Sequence, residues 1–259
     1  MLLQIPSLLD PVEVQAVRAI VEHAEWSDGR ITAGTQSAAV KNNLQLRDSS
    51  DAAKEAGSIV AAGLNRSALF LSATLPRRLV PPLFNRYEGN ANAFGNHVDN
   101  AVRTLGTGLH VRTDISATLF LSDPESYDGG ELMIEDSPTI VGALSSSSTP
   151  TREAARSIKL RAGDLVIYPG SSVHRVEPVT RGTRLASFFW IESMVRETER
   201  RRLLFDMDMA LFALRQQQQP RQQQELRQQQ EPRRLQGDEQ AVVQLTACYH
   251  NLLRMWTDV

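Results

Sequence analysis

Hydrophobic spacing changes twice along the chain. Near the start, Val14, Val17, Val21 and Ala24 recur three and four residues apart, the stripe of a helix with one buried face. Asp10-Pro11-Val12-Glu13 opens it: Asp10 is placed to cap, Pro11 suits the first helical position, and Glu13 completes a capping-box pattern. This helix should end near Trp26-Ser27-Asp28-Gly29. Ile31 to Leu46 reads as a loop with a short strand, and Ser50 to Leu64 as a second helix. Asn65 is placed to cap a further turn towards Leu71, before Pro76, Pro81 and Pro82 break the chain. From Leu83 the apolar runs shorten. Thr113–Leu121, Glu131–Ile134, Ser157–Leu160, Asp164–Tyr168, Val173–Val176 and Thr183–Ile191 read as strands with Gly or Pro turns between them. Many short strands at even spacing indicate a sandwich or barrel. After Glu192 the helical period returns, with Leu203, Leu204, Met207 and Leu211 in one stripe. Val242, Leu245, Tyr249, Leu252 and Trp256 form another.

The expected class is therefore α+β, a β core with N-terminal and C-terminal helices packed outside. Residues 1–77 form the N-terminal helical region, 78–193 the β domain, and 194–259 the C-terminal helical region. Two stretches stand apart. Ser145-Ser146-Ser147-Ser148-Thr149-Pro150 reads as a mobile loop. Residues 215–236, rich in Gln, Arg and Pro, read as a low-complexity loop, disordered or a ragged helix.

Composition narrows the classes. With 259 residues, 41% hydrophobic and 22% charged, the chain can bury a core. A net charge of −2 gives no electrostatic case for nucleic acid or an anionic membrane. Lys41, Lys54 and Lys159 are the only lysines among 28 basic residues, which reads as compositional bias. One cysteine, Cys248, excludes an intrachain disulfide and fits a reducing cytoplasm. The first residues lack a signal peptide's basic and apolar regions, and no apolar run is long enough to span a bilayer.

Candidate chemistry centres on Asn96-His97-Val98-Asp99. On an extended strand residues i and i+2 share a face, so His97 and Asp99 could converge on one point. His174, in a second strand-like run, offers a third ligand. Two histidines and a carboxylate on one face of a metal, with the opposite positions open, suit non-haem Fe(II) oxygen chemistry, although N,O ligands also accept Mn, Co, Ni and Zn. Ten residues past His174 comes Arg184, which a strand, a turn and a returning strand can bring back towards the metal. A guanidinium fork inside a barrel suits a dicarboxylate; a salt bridge to a nearby Asp or Glu would satisfy it equally. His110 is near His97 in sequence but reads as an internal hydrogen-bonding group, and His23 and His250 read as structural. Glu131, after a Gly-Gly turn, is a possible oxygen ligand and more simply structural.

These residues belong to longer stretches. Phe84-Asn85-Arg86-Tyr87, Phe94-Gly95-Asn96-His97-Val98-Asp99-Asn100-Ala101, Tyr127-Asp128-Gly129-Gly130-Glu131-Leu132 and Gly163-Asp164-Leu165-Val166-Ile167-Tyr168-Pro169 resemble the PKHD-type hydroxylases. So does Gln244-Leu245-Thr246-Ala247-Cys248-Tyr249-His250-Asn251-Leu252-Leu253 near the C-terminus. That family is related to the prolyl 4-hydroxylase catalytic domain. The resemblance implies a double-stranded β-helix (jelly roll) with His97, Asp99 and His174 as Fe(II) ligands and Arg184 on the distal carboxylate of 2-oxoglutarate. It implies O₂ as the other cosubstrate and ascorbate as reductant. It also implies hydroxylation of a peptide or small molecule, coupled to decarboxylation of 2-oxoglutarate to succinate and CO₂. Tyr87 stands where related prolyl hydroxylases have a pocket tyrosine near 2-oxoglutarate; a core tyrosine with its hydroxyl at the rim fits as well. A carboxylate ligand at Asp99 leaves no site for a halide, which favours hydroxylation over halogenation. Two other readings stay open: a non-catalytic iron or 2-oxoglutarate sensor, and a cupin-like metal protein whose activity would not need Arg184. The last helix docks on the domain or on another subunit, so a homo-oligomer is possible.

Overall fold

The computed structural model describes residues 1–32, 35–135, 155–228 and 232–258. They fall into two compact units, one of Met1–Phe70 with Arg78–Glu192 and one of Leu71–Arg77 with Ser193–Val259.

In the first unit the opening helix spans Pro11–Glu22. Its capping box is complete: the Asp10 carboxylate accepts from the Glu13 amide at 2.9 Å, and Glu13 accepts from the Asp10 amide at 3.0 Å. Val14, Val17 and Val21 are buried, and the helix packs on Asp51–Arg66, which Ser50 caps. Both helices follow the spacing.

The strands form two principal antiparallel sheets. The larger runs Leu3–Ile5, Leu165–Pro169, Ile115–Phe120, Arg184–Ser193, Leu83–Tyr87, Leu44–Leu46, Trp26–Asp28. The smaller runs Arg156–Ile158, Leu132–Ile134, His174–Val176, Ala93–His97, Lys41–Asn42. Ile115–Phe120 is buried at every position, because it is central in its sheet and covered on both faces. Tyr87, Phe120, Val166 and Tyr168 from the larger sheet meet Leu132, Ile134, Ile158 and Val176 from the smaller in one core cluster. Two antiparallel sheets closing over a shared core give the expected jelly roll.

The stretch read as a loop with one short strand holds two. Lys41–Asn42 joins the smaller sheet and Leu44–Leu46 the larger, so the chain crosses between sheets at Asn43. Trp26–Asp28, read as the end of a helix, is an edge strand. Segments this short carry no periodic signal.

In the second unit the helices are Thr198–Gln228 and Pro232–Trp256. Leu204, Leu211, Val242 and Tyr249 bury against Leu75 and Val195. Leu203 and Leu245, assigned to the apolar stripes, are exposed, being one position off the buried face. The backbone of the Gln/Arg-rich tract is helical over 215–228 and again from 232, which is the ragged-helix alternative rather than the loop; Gln and Arg are good helix formers. The Ser145–Pro150 stretch lies outside the described residues. Among the described residues, no helix is long and apolar enough to cross a membrane.

Candidate metal centre and its cavity

His97 ends the strand Ala93–His97, and His174 begins His174–Val176 directly across from it. The antiparallel register thus brings the two imidazoles together, with ring centroids 4.1 Å apart and the ring planes tilted by 50°. Asp99 lies just past the strand end rather than on the strand, yet reaches the same point. One ligand atom from each of His97, Asp99 and His174 lies within 4.8 Å of the others, the only such His/Cys/Asp/Glu group among the described residues.

Each side chain is held by a neighbour. His97 Nδ1 donates to the Gly95 carbonyl at 2.8 Å and His174 Nδ1 to the Ser172 carbonyl at 3.1 Å. That tautomer leaves the Nε2 lone pair of each ring for a metal. Ser116 Oγ donates to Asp99 Oδ2 at 2.6 Å, fixing the carboxylate. Phe94 stacks on His97 at 3.6 Å, and Tyr168 meets His174 edge-on at 5.1 Å. Burial, and then the adjacent His174, push the His97 imidazole down to about 4, so it is neutral at physiological pH.

Arg184 opens the long strand Arg184–Ser193, paired with Tyr87 in register. It is 1% exposed, and its three guanidinium nitrogens have no hydrogen-bond acceptor among the described residues. The guanidinium lies 5.2 Å from the Tyr87 ring and 5.3 Å from Phe120. No carboxylate bridges to it among the described residues, so the salt-bridge alternative is not what the fold supplies. Tyr87 is fully buried, not at a rim, and its hydroxyl accepts from Asn85 Nδ2 at 3.3 Å. Burial raises the Tyr87 and Tyr127 phenols, and Arg184 pulls both the other way.

One cavity is lined by all five: His97, Asp99, His174, Arg184 and Tyr87. The other histidines and Glu131 lie elsewhere. His23 bonds the Ala19 carbonyl, His110 meets Thr104 Oγ1 at 3.0 Å in a surface hairpin, and Glu131 is 3.8 Å from Lys159.

The Gly-Gly turn explains how Arg184 fits. Gly129 and Gly130 both have positive φ, +71° and +68°. A Cβ on Gly130 would approach Tyr127 Cε2 to 2.9 Å and Arg184 Cδ to 3.0 Å. The left-handed backbone and the close approach both require glycine. Gly130→Ala is expected to destabilise the unit by about 1–3 kcal/mol, and by displacing Arg184 to weaken dicarboxylate binding. Chemical denaturation and a 2-oxoglutarate titration check the two parts; an unchanged titration would show that the turn does not position Arg184.

Lys41, Asn85, Arg103 and Ser116 also line the cavity, and sequence reasoning gave none of them a role. Lys41, Asn43 and Gln45 alternate and are all buried, a polar face turned inward. Period-two polarity reads as a solvated face unless its surroundings are known.

A family model described as the 2OG-Fe(II) oxygenase superfamily matches residues 82–192, and one described as the PKHD-type hydroxylase C-terminal domain matches 224–258. A PKHD-type hydroxylase of Polaromonas sp. is 50% identical over 259 residues, covering all of both chains. One of Xanthomonas campestris pv. campestris is 50% identical over 262 residues, again covering all of both. Among solved structures, the non-haem α-ketoglutarate-dependent carbocyclase SnoK from nogalamycin biosynthesis aligns with a TM-score of 0.52. It is 16% identical and covers 75% of this chain and 80% of its own, a likeness of fold alone.

Proposed function

Since the chain belongs to the PKHD-type hydroxylases, Fe(II)- and 2-oxoglutarate-dependent dioxygenases, we propose that His97, Asp99 and His174 hold its iron and that Arg184 receives the distal carboxylate of 2-oxoglutarate. The observation that carries the assignment is the Arg184 guanidinium, buried and without an acceptor among the described residues, in the cavity that holds the metal-ligand trio. A buried charge needs a partner, and an anion entering the cavity supplies one. The donor set of two imidazoles and one carboxylate fits ferrous iron, and the planar fork fits a carboxylate. When bound, iron and 2-oxoglutarate supply the oxygen chemistry, hydroxylating a C–H bond as 2-oxoglutarate becomes succinate and CO₂.

The protein's own residues do the positioning. Gly95 and Ser172 carbonyls fix the histidine tautomers, and Ser116 fixes Asp99. Phe94 and Tyr168 pack on the imidazoles and keep water from their faces. Tyr87 forms a wall beside Arg184. Ascorbate belongs to this reading as the reductant that keeps iron ferrous, a role that rests on the family resemblance.

Anaerobic titration of the Fe(II)-loaded protein with 2-oxoglutarate tests the assignment. The expected result is a visible metal-to-ligand charge-transfer band that saturates with one 2-oxoglutarate per iron. Iron bound with no band would sink it.

A further inference from the structure

Asn85 lines the cavity, yet its amide is buried for a single hydrogen bond. The residue is 8% exposed, its Nδ2 donates to the Tyr87 hydroxyl at 3.3 Å, and its Oδ1 has no donor among the described residues. Burying an amide is unfavourable unless its hydrogen bonds are made, and half of this one is left unmade. Leucine, of similar size, would serve a core better, so stability does not account for the asparagine.

Its one bond acts on the Tyr87 hydroxyl. A phenol accepts through its oxygen and has one proton to give. With the oxygen accepting from Asn85, the proton is turned away from that amide, and no hydrogen bond carries it to another described residue. Burial, the largest influence on the phenol, pushes it up, so it keeps its proton. Arg184 and then Asn43 pull the other way, although neither atom of the Asn43 amide has a hydrogen-bond partner among the described residues. The cavity that Tyr87 lines therefore gains a donor of fixed direction beside the Arg184 fork.

Register places that donor. Tyr87 pairs with Arg184 and Asn85 with Ala186, so a hydroxyl held at Asn85 lies along the strand from Arg184 towards Phe188. The metal centre lies the same way, because Ser116, which holds Asp99, pairs with Trp190 further along that strand. Two residues of strand advance roughly 7 Å. The terminal carbons of a five-carbon dicarboxylate are roughly 5 Å apart, and its carboxylate oxygens and hydrogen bonds make up the remainder. Succinate, one carbon shorter, stops about 1 Å earlier when its other end is on the fork.

We propose that Asn85 is a positioning residue that, through Tyr87, turns a hydroxyl proton onto the metal-side carboxylate of 2-oxoglutarate and so makes the site prefer this cosubstrate over succinate, its four-carbon product. The proposal rests on the assignment of Arg184 to the distal carboxylate.

The test titrates the full chain, loaded with Mn(II), calorimetrically with 2-oxoglutarate and separately with succinate. Asn85→Leu should weaken 2-oxoglutarate roughly five- to tenfold, change the succinate Kd less than about twofold, and leave the ligand-free Tm no lower. Tyr87→Phe should show the same selective loss. In the Tyr87→Phe background Asn85→Leu should add less than about twofold, since a residue that acts through the hydroxyl is silent without it. Equal losses for the two dicarboxylates, or a lowered Tm, would make Asn85 a structural residue and overturn the proposal. So would a loss at Asn85 that persists in the Tyr87→Phe background, or a Tyr87→Phe protein that binds 2-oxoglutarate as the wild type does. Arg184→Met tests the underlying assignment on its own: if both dicarboxylates still bind as before, that assignment fails, and the proposal with it, whatever Asn85→Leu does.

Discussion

Arg184→Met is expected to abolish useful 2-oxoglutarate binding and, at the same time, to make the cosubstrate-free protein more stable. Both effects have one cause. The guanidinium is 1% exposed, ringed by Tyr87 and Phe120, and has no acceptor among the described residues. Holding a cation there disfavours the fold, and replacing buried ionic groups with apolar side chains of similar volume commonly stabilises by about 1–4 kcal/mol. For a chain of this size that is roughly a 2–10 °C rise in Tm. Removing one partner of a buried charge pair costs about 2–5 kcal/mol of binding, a loss of at least about 30-fold in affinity. Thermal unfolding without cosubstrate, paired with the anaerobic titration, reads both signs. Unchanged 2-oxoglutarate affinity would refute the role of Arg184 and revive the cupin-like alternative.

The second large effect concerns the metal. Asp99→Ala is expected to weaken Fe(II) or Mn(II) binding more than 100-fold, roughly, and to stop turnover, because it removes the only carboxylate of the trio. Ser116→Ala provides the scale. It deletes only the 2.6 Å hydrogen bond that orients Asp99 and should cost about 10–100-fold in metal affinity. Equilibrium dialysis of wild type and both variants gives the ranking. If Asp99→Ala binds metal as the wild type does, the centre lies elsewhere.

Much of this site could be read before any fold was known. His97, Asp99, His174 and Arg184 are chemically distinctive, and their spacing fits strands that return to one point. The α+β class followed from the change of period, and the capping box from three residues. What stayed hidden was set by neighbours distant in sequence. Lys41 looked like one of a few lysines in an arginine-rich chain; only its pairing with Phe94 turns it inward. Asn85 stands in a stretch that resembles the family but acquires meaning only from its bond to Tyr87. Ser116 is an ordinary residue of a buried strand until Asp99 is folded over it. Asp99 itself was expected on a strand and instead lies just beyond one; the metal trio needs convergence, not regular structure.

Exposure along the cavity is graded. Arg184 and Tyr87 are sealed at 1%, His174 is 5% exposed, His97 and Asp99 are partly open, and Asn100 faces solvent. A blind corridor of this kind imposes a queue. Whatever occupies the deep berth beside Arg184 must arrive first and leave last, and a guest lodged beside the partly open His97 and Asp99 bars its exit. The enzyme's order of admission would then be written into its architecture, and an excess of the outer guest should trap the inner one rather than compete with it.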